Sequence, residues 1–336
     1  MDDLLNLAEE VMYVSDSNFD ANAIKIFKAQ YKYNKTYKAF CNYLKIDVDK
    51  ITTINQIPFL PIQFFKSKEI KTTAFNEEII FESSGTTGSI NSKHFVKDKR
   101  IYEASYLAGF NKFYGEVKDY CIIGLLPSYL ERQHSSLVYM VNDLISKSEH
   151  SNSGFYLYDY EKLKKVLLEN ENAQQKTILI GVTYALIDFA EQFPMKLKYT
   201  ILMETGGMKG RREELTRAQV HKILSNNFEL ENIHSEYGMT ELLSQAYSTE
   251  KGIFSCSNTM KILIRSEDDP FEILTKNESD KKFVSGGINI IDLANLYSCS
   301  FIATDDAGKQ YEDTRFEIIG RLENSDIRGC GLMIAE

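Results

Sequence analysis

The chain has 336 residues, 43% of them hydrophobic and 26% charged, which is enough for a sizeable core in one large domain or two modest ones and excludes disorder as the main state. Lys and Arg number 39 against 48 Asp and Glu, a net charge of −9, so no nucleic-acid partner is expected, although a local basic pocket for a small anion stays open. The five cysteines, Cys41, Cys121, Cys256, Cys299 and Cys330, are scattered and free of C-x-x-C spacing, which predicts reduced thiols in a cytoplasmic protein and no zinc site.

The opening "MDDLLNLAEEVMYV" is acidic where a signal peptide is basic, and no apolar run approaches bilayer-spanning length, so no stable membrane anchor is expected. Residues 1–60 read as a helical N-terminal cap: Leu4, Leu5, Leu7, Ala8 and Val11 form one stripe, and Ala23, Ile24, Ile26, Phe27 and Tyr31 a second. Pro58 and Pro61 break that pattern ahead of a strand candidate at "EEIIFES", 77–83. From there short apolar runs alternate with helical stretches: "DYCIIGLLP", "KTILIGVTY" before "ALIDFAEQF", and "KYTILMETGG" before "KGRREELTRAQVHKIL". That alternation predicts an α/β domain over 61–321 with buried strands, whose ligands collect at the turns after the strands. Between 251 and 320 the pattern turns β-like, in "MKILIRS", "FEILTK" and "GGINIIDL".

Chemistry concentrates in the turns. Ser83-Ser84-Gly85-Thr86-Thr87-Gly88 ends a strand with glycines that permit positive φ and hydroxyls that add short donors, the makings of an oxyanion cradle. It is no Walker loop, because the nearest lysine, Lys93, lies five residues beyond Gly88; the alternative is a polar hairpin turn. The order of residues resembles the phosphate-binding signature of the adenylate-forming enzymes, the superfamily of acyl-CoA synthetases, peptide-synthetase adenylation domains and beetle luciferases. Glu236-Tyr237-Gly238-Met239-Thr240-Glu241 is similar to that superfamily's Tyr-Gly-x-Thr-Glu motif. The resemblance places Tyr237, Gly238 and Met239 over the adenine and α-phosphate of ATP, has Thr240 donating to a phosphoryl oxygen, and gives Glu241 to Mg2+. Glu204-Thr205-Gly206-Gly207-Met208-Lys209-Gly210 resembles the superfamily's glycine turn against the adenine, with an ordinary strand-to-helix turn as the alternative. Thr304-Asp305-Asp306 and Gly320-Arg321 resemble its late elements, in which an aspartate holds the ribose hydroxyls and an arginine approaches the nucleotide. Asp305 stands where the superfamily has glycine, and register assigns the ribose to Asp306.

Fifteen residues follow Arg321, too few for the lid domain that such enzymes carry; 322–336 reads as a short tail. With "LPSYLERQHSSLVYM" and "EYGMTELLSQAYS", the chain resembles the acyl-protein synthetases, the LuxE-type, lid-less branch. That resemblance implies an α/β adenylate-forming large-domain fold with mixed sheets flanked by helices, ATP and Mg2+, and a fatty-acid substrate. It further implies transfer of the acyl group to a cysteine near the C-terminus, here Cys330, and then to an acyl-CoA-reductase-like partner. The resemblance's nucleophile reading expects Arg328 to favour the thiolate of Cys330 and Gly329 and Gly331 to allow the tail to swing; the alternative is a small buried apolar cysteine. Lys93 and His94 are candidates for the phosphates or the carboxylate, Lys93 in a catalytic role; His134 is a weaker candidate. The alternatives are an acyl-CoA ligase, an acyltransferase to a small-molecule or polysaccharide acceptor, and a non-catalytic nucleotide-binding subunit.

Overall fold

In a computed structural model, residues 2–83, 90–126, 134–206, 215–275 and 282–322 are described. The chain opens with helices α1 (Asp2–Met12), α2 (Phe19–Tyr33) and α3 (Lys35–Tyr43), then β1 (Leu60–Pro61), the single turn α4 (Phe64–Ser67) and the hairpin strands β2 (Ile79–Glu82) and β3 (Lys93–Val96). Helix α5 (Lys99–Tyr114) leads to β4 (Cys121–Leu125), α6 (Ser136–Ser148), β5 (Gly154–Phe155), α7 (Tyr160–Asn172), β6 (Thr177–Gly181), α8 (Thr183–Gln192), β7 (Thr200–Glu204), α9 (Arg217–Phe228) and β8 (His234–Tyr237). The remainder is β9 (Ala246–Ser248), β10 (Ser255–Cys256), β11 (Met260–Arg265), β12 (Phe283–Asp292), β13 (Phe301–Tyr311) and β14 (Phe316–Arg321). No helix among the described residues is long and apolar enough to cross a membrane.

The first sheet runs β10-β9-β8-β7-β6-β4-β5, parallel from β5 to β8 and antiparallel at β9 and β10. Strands β4 and β6 are buried at every position, as parallel strands covered on both faces require. Helices α7, α8 and α9 share one aromatic seam through Tyr160, Phe189 and Phe228. Helices α5 and α6 pack together through Tyr102 against Tyr139 and through the Tyr106 hydroxyl, which donates to Asp143 at 2.5 Å. Strand order reverses beside β4, because the chain leaves it for β5 on one side and returns to β6 on the other. Ligands of open parallel sheets bind off the carboxyl edge near such a reversal.

The second sheet runs β1-β13-β12-β11, with β14 also pairing β13. The two sheets meet where Phe254 and Phe316 exchange both backbone hydrogen bonds and stack their rings at 5.5 Å.

The periodicity places most of the cap correctly. Leu4, Leu7 and Val11 are buried, as are Ala23, Ile26 and Phe27, but Leu5 is 57% exposed, on the outer face of α1. One expected element differs: among the described residues "FEILTK" forms an isolated bridge, Ile273 to Arg265. Of "KGRREEL" only Leu215 lies among the described residues, and α9 begins at Arg217. Thr216 and Gln219 close a reciprocal capping box there, which satisfies the first free N–H groups and so fixes the helix start.

The cap is bonded into the domain. Gln30 donates to the carbonyls of Asn295 and Leu296 and to Ser300 Oγ at 3.0–3.1 Å and accepts from Ser300 N–H; Asn34 donates to the Ser298 carbonyl at 2.8 Å.

Candidate active site

Three turns gather at the carboxyl edge of the first sheet. At the end of β7 the backbone reverses through Gly206, whose φ of +74° an L side chain rarely adopts. Glu204 holds that turn: its Oε2 accepts from Gly206 N–H at 2.8 Å and from the Thr183 hydroxyl at 3.0 Å. Its Oε1 faces Arg217 Nε at 3.6 Å and His221 Nε2 at 3.8 Å. Burial alone pushes such a carboxyl upward, but His221 and Arg217 outweigh it and bring the pKa down to about 2.

At the end of β8 alternate side chains face opposite ways. Tyr237 points to the second sheet, where its ring packs against Phe254 and Phe316 and its hydroxyl donates to Asp306 Oδ2 at 2.8 Å. Arg321 Nε lies 3.8 Å from the other Asp306 oxygen. Burial pushes the Asp306 carboxyl upward, against the pull of Tyr237 and Arg321. Asp305 turns away to accept from Gln63 Nε2. Tyr237, Asp306 and Arg321 thus form one cluster, with Tyr237 seated edge-on among phenylalanines.

The turn that follows is clamped by buried Asp292, which accepts from Leu243 N–H at 2.7 Å, Ser244 N–H at 3.0 Å, Ser244 Oγ at 2.6 Å and Ala294 N–H at 3.0 Å. Asn295 donates to the Glu241 carbonyl at 2.8 Å. Thr240 offers its carbonyl to His94 Nδ1 at 2.9 Å. His94 is 1% exposed and packs edge-on against Phe65. Burial lowers its pKa to about 4, so the ring is neutral, with the proton on Nδ1 and a lone pair on Nε2 that meets no partner among the described residues.

The hairpin of β2 and β3 carries Ser83, whose Oγ accepts from Ser92 N–H at 2.8 Å. Lys93 pairs with Glu82 at 3.4 Å across that hairpin and keeps half of its side chain in solvent. His134 is exposed, its ring bonded to the Ile80 carbonyl at 3.1 Å. Ser84, Gly85, Thr86, Thr87, Gly88, Gly207, Met208 and Cys330 lie outside the described residues.

Glu204, Arg217, Thr183, Glu236 and Asp292 surround these turns without being singled out by motif. The available signal was positional: Glu204 and Asp292 each end an apolar run, "TILME" and "INIID", and a charge buried there needs a local task. Glu241 is a wholly buried carboxylate on its clamped turn. No cluster of three or more His, Cys, Asp or Glu able to hold a metal occurs among the described residues. One carboxylate suits Mg2+, which takes its other oxygens from water and substrate phosphates.

A family model described as "Acyl-protein synthetase, LuxE" matches residues 2–336. The long-chain-fatty-acid–luciferin-component ligase of Aliivibrio fischeri is 25% identical over 338 residues, covering 92% of this chain and 85% of that protein. Among solved structures, a 2-hydroxyisobutyryl-CoA ligase in its postadenylation state superposes with a TM-score of 0.62 at 10% identity over 94% of this chain and 70% of its own. ATP-bound MatB from Rhodopseudomonas palustris gives 0.53 at 15% identity over 74% of this chain. The match spans 50% of the MatB chain.

Proposed function

The chain belongs to the LuxE acyl-protein synthetase family and has the large-domain fold of the adenylate-forming enzymes, and from that premise we propose how its residues carry the ATP-dependent activation of a fatty acid. A carboxylate oxygen of the acid attacks the α-phosphorus of ATP. The bond from that phosphorus to the bridging oxygen breaks, and pyrophosphate leaves with the electron pair.

The nucleotide lies with its ribose at Asp306, its adenine between Tyr237 and the turn at 206–208, and its phosphates at 83–88. Gly238 and Met239 give the α-phosphate a close backbone approach, Thr240 donates to a phosphoryl oxygen, and Arg321 offsets charge near the nucleotide. Mg2+ held on Glu241 supplies electrostatic stabilisation of the phosphate oxygens. Lys93 leaves Glu82 for the phosphates when these are present. The thiolate of Cys330 then attacks the acyl carbon, a C–S bond forms as the bond to AMP breaks, and the thiol proton goes to solvent. A reductase-like protein accepts the acyl group from the thioester.

One observation carries this reading. The Tyr237–Asp306 hydrogen bond joins two motifs that lie far apart in sequence and on different sheets, as a shared nucleotide would require. Radiolabelled fatty acid with ATP and Mg2+ tests it. The wild type acquires a hydroxylamine-labile label, which Cys330→Ser loses while pyrophosphate exchange survives. Equal labelling of the variant sinks the cysteine step, and free acyl-CoA or another acylated acceptor as sole product replaces it with direct transfer.

A further inference from the structure

Strand β13 kinks where it carries the residues of the late motif. Against β12 its register passes from Gly287 opposite Ala307 to Asn289 opposite Ala303, so that Thr304, Asp305 and Asp306 face Ile288 alone. A bulge of this kind takes backbone groups off the ladder and re-aims side chains. Here it aims Asp306 at Tyr237, while Asp305 turns to Gln63. One side chain that the reaction above does not use fills the bulge. Arg265, at the end of β11, is 7% exposed. Its Nη1 donates to the Ile288 carbonyl at 2.8 Å and to Asn289 Oδ1 at 2.7 Å, and its Nη2 donates to the Thr304 carbonyl at 2.5 Å. Thr304 completes the arrangement: its hydroxyl donates to the same Ile288 carbonyl at 2.8 Å and accepts from Asp306 N–H at 3.2 Å.

The guanidinium reaches β13 from β11 by lying across β12. It can do so because position 287, opposite Arg265 in the ladder, is glycine: a Cβ there would stand 2.6 Å from the Arg265 Cζ. A planar fork with donors fixed in direction meets three acceptors on two strands at once, which the single point charge of a lysine does not. All three acceptors are neutral oxygens. Burial opposes the charge on Arg265, and the two aspartates of the bulge, Asp305 and Asp306, favour it. The residue that shapes the bulge and the carboxylates that the bulge displays therefore support each other.

We propose that Arg265 is a positioning residue for the nucleotide: by holding the Thr304 carbonyl against β12 it sets the bulge that presents Asp306 to the ribose. This rests on the assignment of the ribose to Asp306. The experiment is calorimetric binding of MgATP and of its 2′-deoxy and 3′-deoxy analogues to the full chain, as wild type, Arg265→Met, Arg265→Lys and Leu167→Ala. The last opens a cavity under the buried face of α7 and reports what lost stability alone does. The wild type binds ATP about tenfold or more tighter than at least one deoxy analogue, because a carboxylate built for a hydroxyl is left unmet without it. Arg265→Met loses ATP affinity by about that factor while affinity for the analogue stays, so the ratio falls towards one. Arg265→Lys, which keeps the charge without the fork, lowers the ratio about threefold or more, and it decides the outcome where Arg265→Met does not fold. Leu167→Ala keeps the ratio. An unchanged ratio in the Arg265 variants, or an equal fall in Leu167→Ala, overturns the role. If the wild type itself does not discriminate, the ribose assignment fails on its own. The carboxyl carbon resonance of Asp306 in the nucleotide-free protein, assigned with Asp306→Asn, then decides the positioning: a resonance displaced in Arg265→Lys and unmoved in Leu167→Ala supports it, and one unmoved in Arg265→Lys overturns it.

Discussion

Glu204→Gln removes the negative charge that Arg217 and His221 face at the turn after β7, while keeping the size and an oxygen for Gly206 N–H and the Thr183 hydroxyl. The carboxyl moves from its ordinary 4.5 to about 2 on folding, and at about 1.4 kcal/mol per pKa unit that is roughly 3 kcal/mol of stability near neutral pH. Breaking a buried pair costs about 3–5 kcal/mol when the surviving charge is stranded. Arg217 still bonds the Ile318 carbonyl at 3.2 Å and keeps some contact with water, so the expected loss is at the lower end, about 2–3 kcal/mol. The sign with pH follows from a depressed carboxyl: the folded state holds fewer protons than the unfolded one, so the contribution is complete above 4.5 and disappears as pH falls through about 2. Urea unfolding of wild type and variant, followed down through that window, checks both. A gap of about 2–3 kcal/mol at neutral pH that closes on acidification is expected. A neutral-pH gap below about 0.5 kcal/mol, or one that widens with acid, refutes the charge argument.

Two further perturbations follow from distances in the same region. His94→Phe leaves the Thr240 carbonyl without the donor it has at 2.9 Å and loosens the turn that bears Glu241. Exchange kcat should fall about tenfold or more with ATP binding by calorimetry largely kept; unchanged kcat would remove His94 from the site. Because the ring is neutral above about pH 4, His94 should add no inflection to the exchange rate between about pH 5 and 8, and an inflection in that range in the wild type but not in His94→Phe contradicts the buried neutral state. Gly286→Ala drives a Cβ into the Arg265 backbone across β11 and β12. Soluble yield and melting temperature should both drop, by about 1–3 kcal/mol of stability or more, and a native-like melt would mean that the strand can shift.

The strands of the first sheet were legible because each is an unbroken apolar run, and "CIIGL" and "TILIG" prove buried throughout. Leu5 misled because one helical turn of the cap has apolar residues on both faces, and periodicity alone does not say which face finds a partner. "FEILTK" has strand composition but among the described residues forms a single isolated bridge, closed by two backbone hydrogen bonds, and β-propensity is expressed only where a ladder exists. For the candidate site, motif spacing pointed to Tyr237, Thr240, Glu241 and Asp306, and the fold places Tyr237 against Asp306 and the Thr240 carbonyl against His94. Glu204 and Asp292 escaped because their partners, Arg217 and Leu243, are brought to them by the tertiary fold or by a turn that no local pattern specifies.

The helical cap has a reason to be welded to the domain. Gln30 and Asn34 are at most 1% exposed, and buried amides tolerate few arrangements, because each unmet donor costs about 1–3 kcal/mol. Gln30 satisfies both ends of its amide on residues 295–300, and Asn295, in that segment, passes the constraint to the Glu241 carbonyl. An apolar contact would hold the cap in place while allowing it to slide by a fraction of an ångström. The amide network fixes one register, and that register reaches the turn on which the Mg2+ ligand is proposed to sit. A cap attached in this way acts as a positioning element for Glu241 as much as a cover for the second sheet.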